Sequence, residues 1–127
     1  RELGLKSMIY IVRNRRHQLG IGYNKPIPYR EIQAYLGETR SILEILQKGQ
    51  SGSTLRLYES VFNEIKLLTN DNKIKESDLY NPQNIFIIGE QPIESVIDFL
   101  GTSFIPIEED RLRYYDFDEW LERIVRV

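Results

Sequence analysis

Four side chains in the first half of the sequence, Tyr10, His17, Arg30 and Glu59, are of the types that can cut a phosphodiester bond. Cleavage needs an activated water molecule, a cation that offsets charge on the phosphoryl oxygens and usually a divalent metal held by a carboxylate. Tyrosine or histidine, arginine and glutamate are the residue types that supply these parts. Side chains of these types are candidates for this chemistry if the fold brings them together.

Each of these residues also has an ordinary structural interpretation. A tyrosine in a β-branched strand usually packs as an aromatic with its hydroxyl at the surface, and a lone histidine in a turn is usually solvated. Arg30 lies near the start of a short predicted helix, where a bound anion would relieve its conflict with the helix dipole. Glu59 lies about 40° past Leu55, at the border of an apolar helical stripe. A carboxylate there either pairs with a basic residue or faces a cleft.

Charge is distributed unevenly along the chain. The 17 basic and 19 acidic side chains give a net charge of -2, so the molecule as a whole has no positive field that would draw it onto a polyanion. The basic side chains crowd the first thirty residues, and Arg13, Arg15, Arg16 and Lys25 are the candidate nucleic-acid-binding residues. The last forty residues are acidic. Their acidic and aromatic tail, Gly101 to Val127, suits packing against the basic N-terminal half or a protein partner better than contact with DNA. The alternative interpretation is that the basic and the acidic regions are only solvated faces of opposite charge.

Composition predicts one folded domain. The chain has 127 residues, of which 41% are hydrophobic and 28% charged, as in globular proteins. With no cysteine and one histidine it can build neither a disulfide framework nor a thiolate zinc site. No stretch approaches the ~20 apolar residues that span a bilayer. We expect no membrane partner and a cytoplasmic location, or the interior of a host cell if the protein is phage or viral.

Hydrophobic periodicity predicts a mixed α/β fold, of the α+β kind. The predicted strands are residues 8–13, 18–23, 41–46 and 85–88, and the predicted helices are residues 29–36, 54–68, 92–100 and 117–125. Residues 104–107 read as extended and 108–113 as a turn. Because a hairpin is followed by alternating helices and strands, we expect a small, largely antiparallel central sheet flanked by helices. Gly20 and Gly22 would leave room for a phosphate backbone beside the second strand.

The order of these features resembles the GIY-YIG nuclease superfamily, in particular its phage-type branch. The resemblance is carried by a tyrosine strand, a glycine strand, an Arg-bearing helix, a Glu-bearing helix and an aromatic strand before one more helix. The corresponding runs are residues 10–14, 17–21, 29–32, 57–62 and 85–88. Met8 replaces the first glycine of the motif, and His17 or Gly20 stands where the second tyrosine is expected. Residues 1–100 would form the GIY-YIG-like domain, with residues 101–127 as a C-terminal extension packed on it.

The resemblance implies a metal-dependent endonuclease. In that case Tyr10 would position or deprotonate the attacking water, with His17 a candidate for the second tyrosine's place. Arg30 would bind the phosphate, and Glu59 would hold Mg²⁺ or Mn²⁺. A nucleic acid is then the expected partner. The alternatives are an inactive binding module of this fold for nucleic acid or protein, a phage or viral structural subunit, and a helix-turn-helix at residues 27–47, which the apolar segment 42–46 disfavours.

Overall fold

The structure, a computed structural model, describes residues 4–6, 27–50 and 54–126. The chain divides into two compact units, Arg1–Glu38 and Thr39–Val127. In the first unit, helix α1 spans Tyr29–Gly37 and confirms the helix predicted at 29–36. The predicted strands 8–13 and 18–23 lie outside the described residues.

The second unit contains the described strands and the other described helices. The strands are β1 (Ser41–Glu44), β2 (Lys66–Thr69) and β3 (Ile85–Ile87). The α-helices are α2 (Leu55–Asn63), α3 (Val96–Gly101), α4 (Glu109–Tyr114) and α5 (Phe117–Val125). Single 3₁₀ turns lie at Asn72–Glu76 and Ile93–Ser95. Helix α4 occupies the segment that the sequence predicted as a turn, and that prediction is wrong.

The strands of the second unit form one sheet in the order β1-β2-β3, and every pairing is parallel. Ile42 is opposite Leu67, and Leu67 is opposite Ile85. Parallel neighbours need a crossover connection, and α2 supplies it between β1 and β2. The expectation of a largely antiparallel sheet is therefore wrong. The described fold is α+β, with a small three-stranded parallel sheet flanked by helices.

The prediction of an antiparallel sheet fails because the predicted helix 54–68 extends into the central strand. Residues 66–68, its last three, are the start of β2. Helix α2 ends at Asn63 because Glu64 takes the left-handed conformation, with φ 54°. The Ile65 N–H then donates to the Ser60 carbonyl at 2.9 Å, which closes the helix end and turns the chain into β2. Glycine or asparagine usually signals such a turn, and a glutamate does not.

The core lies between the sheet and α2. Leu57 and Val61 of the helix are each 2% exposed, and Leu67 of the central strand β2 and Phe86 of β3 are 0% exposed. The nearly continuous burial of β2 and β3 is typical of parallel strands covered on both faces. Leu55, which marks the predicted apolar stripe, is 57% exposed, and Phe62 is 45% exposed. The buried face of α2 is thus rotated from the predicted one.

Two buried polar side chains attach the C-terminal third of the chain to the sheet. Asn84 exchanges two hydrogen bonds with the backbone of Ile105, at 2.7 and 2.8 Å. The Lys66 amine donates to the Phe99 carbonyl and the Thr102 hydroxyl, at the C-terminal end of α3 where a cation is favourable. Burial lowers the pKa of Lys66. Residues beyond 100 are therefore held on the second unit by specific contacts.

Candidate functional site

Glu59 lies in the middle of α2 and is 4% exposed. Arg56 Nη1 donates to Glu59 Oε2 at 2.6 Å, and Arg56 is 39% exposed at its side chain. Asn63 Nδ2 also donates to the Glu59 carbonyl oxygen at 2.8 Å. The sequence predicts that the Glu59 carboxylate either pairs with a basic residue or faces a cleft. In the structure it pairs with a basic residue, Arg56.

Of the other predicted catalytic residues, Arg30 is the one that lies within the described residues. Arg30 is exposed on α1 of the first unit. Tyr10 and His17 lie outside the described residues. So do the predicted nucleic-acid-binding residues Arg13, Arg15, Arg16 and Lys25. Their convergence on one cleft stays a prediction.

The Mg²⁺ implied by the resemblance would need a set of oxygen ligands. Within residues 4–6, 27–50 and 54–126, no three His, Cys, Asp or Glu side chains group so as to hold a metal ion. Glu59 offers one carboxylate, and Arg56 already engages it. The described residues around Glu59 do not fit a metal site, and no catalytic step follows from them.

A cavity of about 520 Å³ lies at the carboxyl ends of β1 and β2 in the second unit. Glu44, the last residue of β1, lines it, and so does Asp71, two residues after β2. The first turn of α2, the 3₁₀ turn and the segment after it form other walls. Ligand sites of open parallel sheets lie outside the carboxyl ends of the strands. The volume is in the range of small-molecule sites.

Glu44 organises the floor of this cavity. It is 8% exposed, and its two carboxylate oxygens accept hydrogen bonds from the hydroxyls of Thr54 and Thr69, the latter at 3.0 Å. The Asp71 N–H donates to the Thr69 hydroxyl at 3.1 Å. This chain of hydrogen bonds joins the ends of β1 and β2 to the start of α2. The floor is therefore fixed before any ligand binds.

The loop after β1 is held by Asn70. The side-chain amide of Asn70 accepts from the Leu46 N–H at 2.7 Å and donates to the Leu46 carbonyl at 3.1 Å. One amide side chain thus satisfies both backbone groups of a loop residue, in the manner of a further strand pairing. The loop that leads from β1 to the cavity wall is positioned by this contact.

The far rim is closed by the segment between α4 and α5. The Tyr115 hydroxyl donates to Asp78 Oδ1, and Arg111 Nη1 donates to the Asp78 carbonyl at 3.1 Å. The hydrogen bond to Asp78, together with burial, raises the pKa of Tyr115 to about 12. The ring of Tyr115 also lies 5.7 Å from that of Tyr58. Residues near the C-terminus therefore form one wall of the cavity.

The cavity carries an excess of negative charge. Among the described residues, its charged lining residues are Glu44, Asp71, Glu76 and Asp78, which are carboxylates, and Lys73, which is an amine. Concave sites lined by one sign of charge concentrate counter-ions of the other sign. The site thus favours cations and hydrogen-bond donors.

The sequence analysis did not single out the residues of this cavity. The available signal was polar residues immediately after buried runs: Glu44 within the predicted strand 41–46, and Asn70 and Asp71 after Leu67 and Leu68. That signal is informative only when the strands are known to be parallel. Because β2 was read as helix, the carboxyl edge was not recognised.

The fold and the cavity define the second unit as a small α+β domain with a ligand-sized site at the carboxyl edge of a parallel sheet. Comparison of the chain with protein-family models, with curated proteins and with solved structures finds no match. Across the described ranges, none of the helices has both the length and the apolar character needed to cross a bilayer.

Proposed function

We propose that residues 39–127 form a binding module that takes a small, positively charged ligand in the cavity at the carboxyl edge of the sheet. The observation that carries this proposal is the position of the cavity, at the ends of β1 and β2 and over a fixed floor centred on Glu44. A preformed floor lowers the cost of binding because few groups must be ordered.

The charge of the lining supports a cation over an anion. In the described part of the chain, four carboxylates and one amine line a space of about 520 Å³. An anionic ligand such as a nucleotide phosphate would bring like charge toward Glu44, which is buried and strongly affected by a neighbouring charge. A guanidinium or ammonium group would instead find acceptors on several walls. The chemical class we assign is therefore an organic amine or guanidinium compound.

An NMR titration tests the proposal. Uniformly ¹⁵N-labelled protein is titrated with agmatine and with spermidine, and separately with adenosine monophosphate as the anionic control. We expect the backbone amide signals of Asp71, Lys73 and Ser77 to shift with one of the cations, with a Kd of roughly 0.1–1 mM. If neither cation moves these signals, or if the nucleotide moves them equally, the proposal fails.

A second candidate is the metal-dependent nuclease that the sequence resemblance implies. What supports it is the order of the tyrosine, arginine and glutamate motifs, together with the burial of Glu59, which is 4% exposed and is thus not a simple solvated charge. The ion pair with Arg56 gives Glu59 a structural explanation as well. The two explanations differ in what happens when the charge is removed.

The substitution Glu59→Gln distinguishes metal binding by Glu59 from a purely structural ion pair with Arg56. If Glu59 holds a metal, this change should abolish Mg²⁺-dependent cleavage of DNA or RNA while the nucleic-acid affinity remains. If Glu59 only pairs with Arg56, the variant should lose stability and no activity should have been present to lose. The assay compares single-stranded and double-stranded DNA and RNA with Mg²⁺, Mn²⁺ and chelator. A purified protein that cuts none of them under any condition is not a nuclease.

A further inference from the structure

Helix α5 presents five large apolar side chains to solvent. Phe117, Trp120, Leu121, Ile124 and Val125 are between 42% and 71% exposed. Counted from Phe117, the other four follow after three, four, seven and eight residues, which places all five on one side of the helix. We call these five residues the α5 face. Such a continuous patch on a helix is characteristic of an interaction surface and not of isolated exposed side chains.

From the exposed fractions, the α5 face offers on the order of 500 Å² of apolar area, given roughly 150–250 Å² for an aromatic side chain. Two such faces would bury about 1,000 Å² together, which is near the lower limit for a specific protein interface. A second copy of this face therefore supplies enough area for a weak dimer.

Charge along the helix also fits a second copy. Asp116, Asp118 and Glu119 are at the beginning of α5, and Arg123 and Arg126 are at its end. In an antiparallel pair the acidic beginning of one helix lies beside the basic end of the other, and the helix dipoles oppose each other favourably. A parallel pair would place like charges together.

We infer that the α5 face is covered by the α5 face of a second copy, in an antiparallel two-fold pairing. An isologous contact of this kind uses one patch twice and closes after two subunits. The inference is independent of the cavity and of its ligand.

Trp120 makes the contact directly observable, because it is the one tryptophan of the chain. Sedimentation velocity and tryptophan emission are measured on the whole chain between about 1 and 500 μM, a range that brackets the affinity expected of a small interface. We expect the mass to rise from 15.1 kDa toward twice that value, with a blue shift of the emission over the same range. The inference is overturned if the protein is a monomer at every concentration. This holds also if the Trp120 emission of that monomer is already blue-shifted in dilute solution.

Matched lysine variants locate the contact. Ile124→Lys places a charge in the α5 face, and Ile97→Lys makes the same change on α3; the two isoleucines are 51% and 47% exposed. We expect the first to remain a monomer throughout and the second to dimerise like the unmodified chain. Val125→Lys replaces the first variant if circular dichroism shows that Ile124→Lys does not fold. Equal dimerisation of the α5 and α3 variants overturns the inference.

The orientation has its own test, since the chain contains no cysteine. Asp116→Cys and Arg126→Cys are prepared separately, mixed in equal amounts and oxidised. An antiparallel pair places position 116 of one copy beside position 126 of the other, so the mixed disulfide should form several-fold faster than either homodimer. Faster formation of the two homodimers would indicate a parallel pair and overturn the antiparallel assignment.

Discussion

Replacing Tyr115 by phenylalanine should destabilise the second unit at neutral pH and should do so much less at high pH. The hydroxyl donates to Asp78, and this bond, with burial, raises the pKa of Tyr115 from 10.0 to about 12. That difference corresponds to at most about 2.7 kcal/mol. Because Tyr115 is only half-buried, solvent screening should reduce the effect to roughly 1–2 kcal/mol.

The direction of the pH dependence follows from the raised pKa. The folded state holds the Tyr115 proton more tightly than the unfolded state, so the stabilisation is fully present below pH ~10 and is lost as the pH rises through about 12. Denaturant unfolding of the unmodified chain and of Tyr115→Phe is compared at pH 7 and at pH 11–12. The gap between their free energies of unfolding should shrink at the higher pH.

The neighbouring residue provides the control. Tyr114 is 57% exposed, and its ring lies under the Arg123 guanidinium at 4.1 Å, a contact that phenylalanine can keep. Tyr114→Phe should therefore change the free energy of unfolding by less than about 0.5 kcal/mol. The reasoning is refuted if the two substitutions cost the same, or if the cost of Tyr115→Phe does not depend on pH.

Two further changes test the fold by denaturant unfolding. Glu64→Gly should stabilise the protein by about 0.5–1 kcal/mol, because the left-handed backbone at φ 54° strains glutamate and not glycine. A loss of stability of similar size would mean that the helix continues through residue 64. Asn84→Ala should cost about 2–3 kcal/mol, because it removes both hydrogen bonds to the Ile105 backbone. The same change at exposed Asn72 should cost less than about 0.5 kcal/mol, and an equal loss at both sites would contradict the buried role of Asn84.

The elements that the sequence predicted well carry their own local signals. Helix α5 is predicted at residues 117–125 and spans Phe117–Val125, and Asp116 Oδ1 caps it by accepting from the Asp118 N–H at 2.9 Å. Helix α1 follows Pro28 and ends at Gly37. Strand β3 is a short apolar run between polar segments. In each case the residues at the ends determine where the element begins and stops.

Strand β2 could not be recognised in the same way. Ile65, Leu67 and Leu68 continue the apolar pattern of α2, so a strand and a longer helix are equally compatible with them. The stop is the left-handed Glu64, a residue type that gives no such warning. Once β2 is missed, the parallel pairing and the carboxyl edge are missed with it. The cavity depends on long-range strand order and was therefore invisible to local patterns.

The resemblance to the nuclease superfamily shows a related limit. Part of its support lies in residues 8–23, which are outside the described residues, and part in Glu59, which pairs with Arg56 in the structure. The order of weak motifs constrains neither which strands pair nor which side chains meet. The nuclease assignment therefore stays a prediction that cleavage assays must test.

The central claim is that the cavity at the carboxyl edge of the sheet binds an organic cation. The most direct test measures how tightly two matched charge variants bind that cation. Glu76 lines the cavity and Glu94 lies on the 3₁₀ turn before α3; both are exposed, so neither substitution by glutamine should affect folding. The Kd for the cation that binds, agmatine or spermidine, is measured for both variants and for the unmodified chain by NMR titration. We predict that Glu76→Gln weakens binding about three- to fivefold, in line with about 0.7–1 kcal/mol for a solvent-exposed charge pair, and that Glu94→Gln leaves it within twofold. Equal weakening by both variants, or no saturable binding to the unmodified chain, would contradict the assignment of this cavity as a cation-binding site.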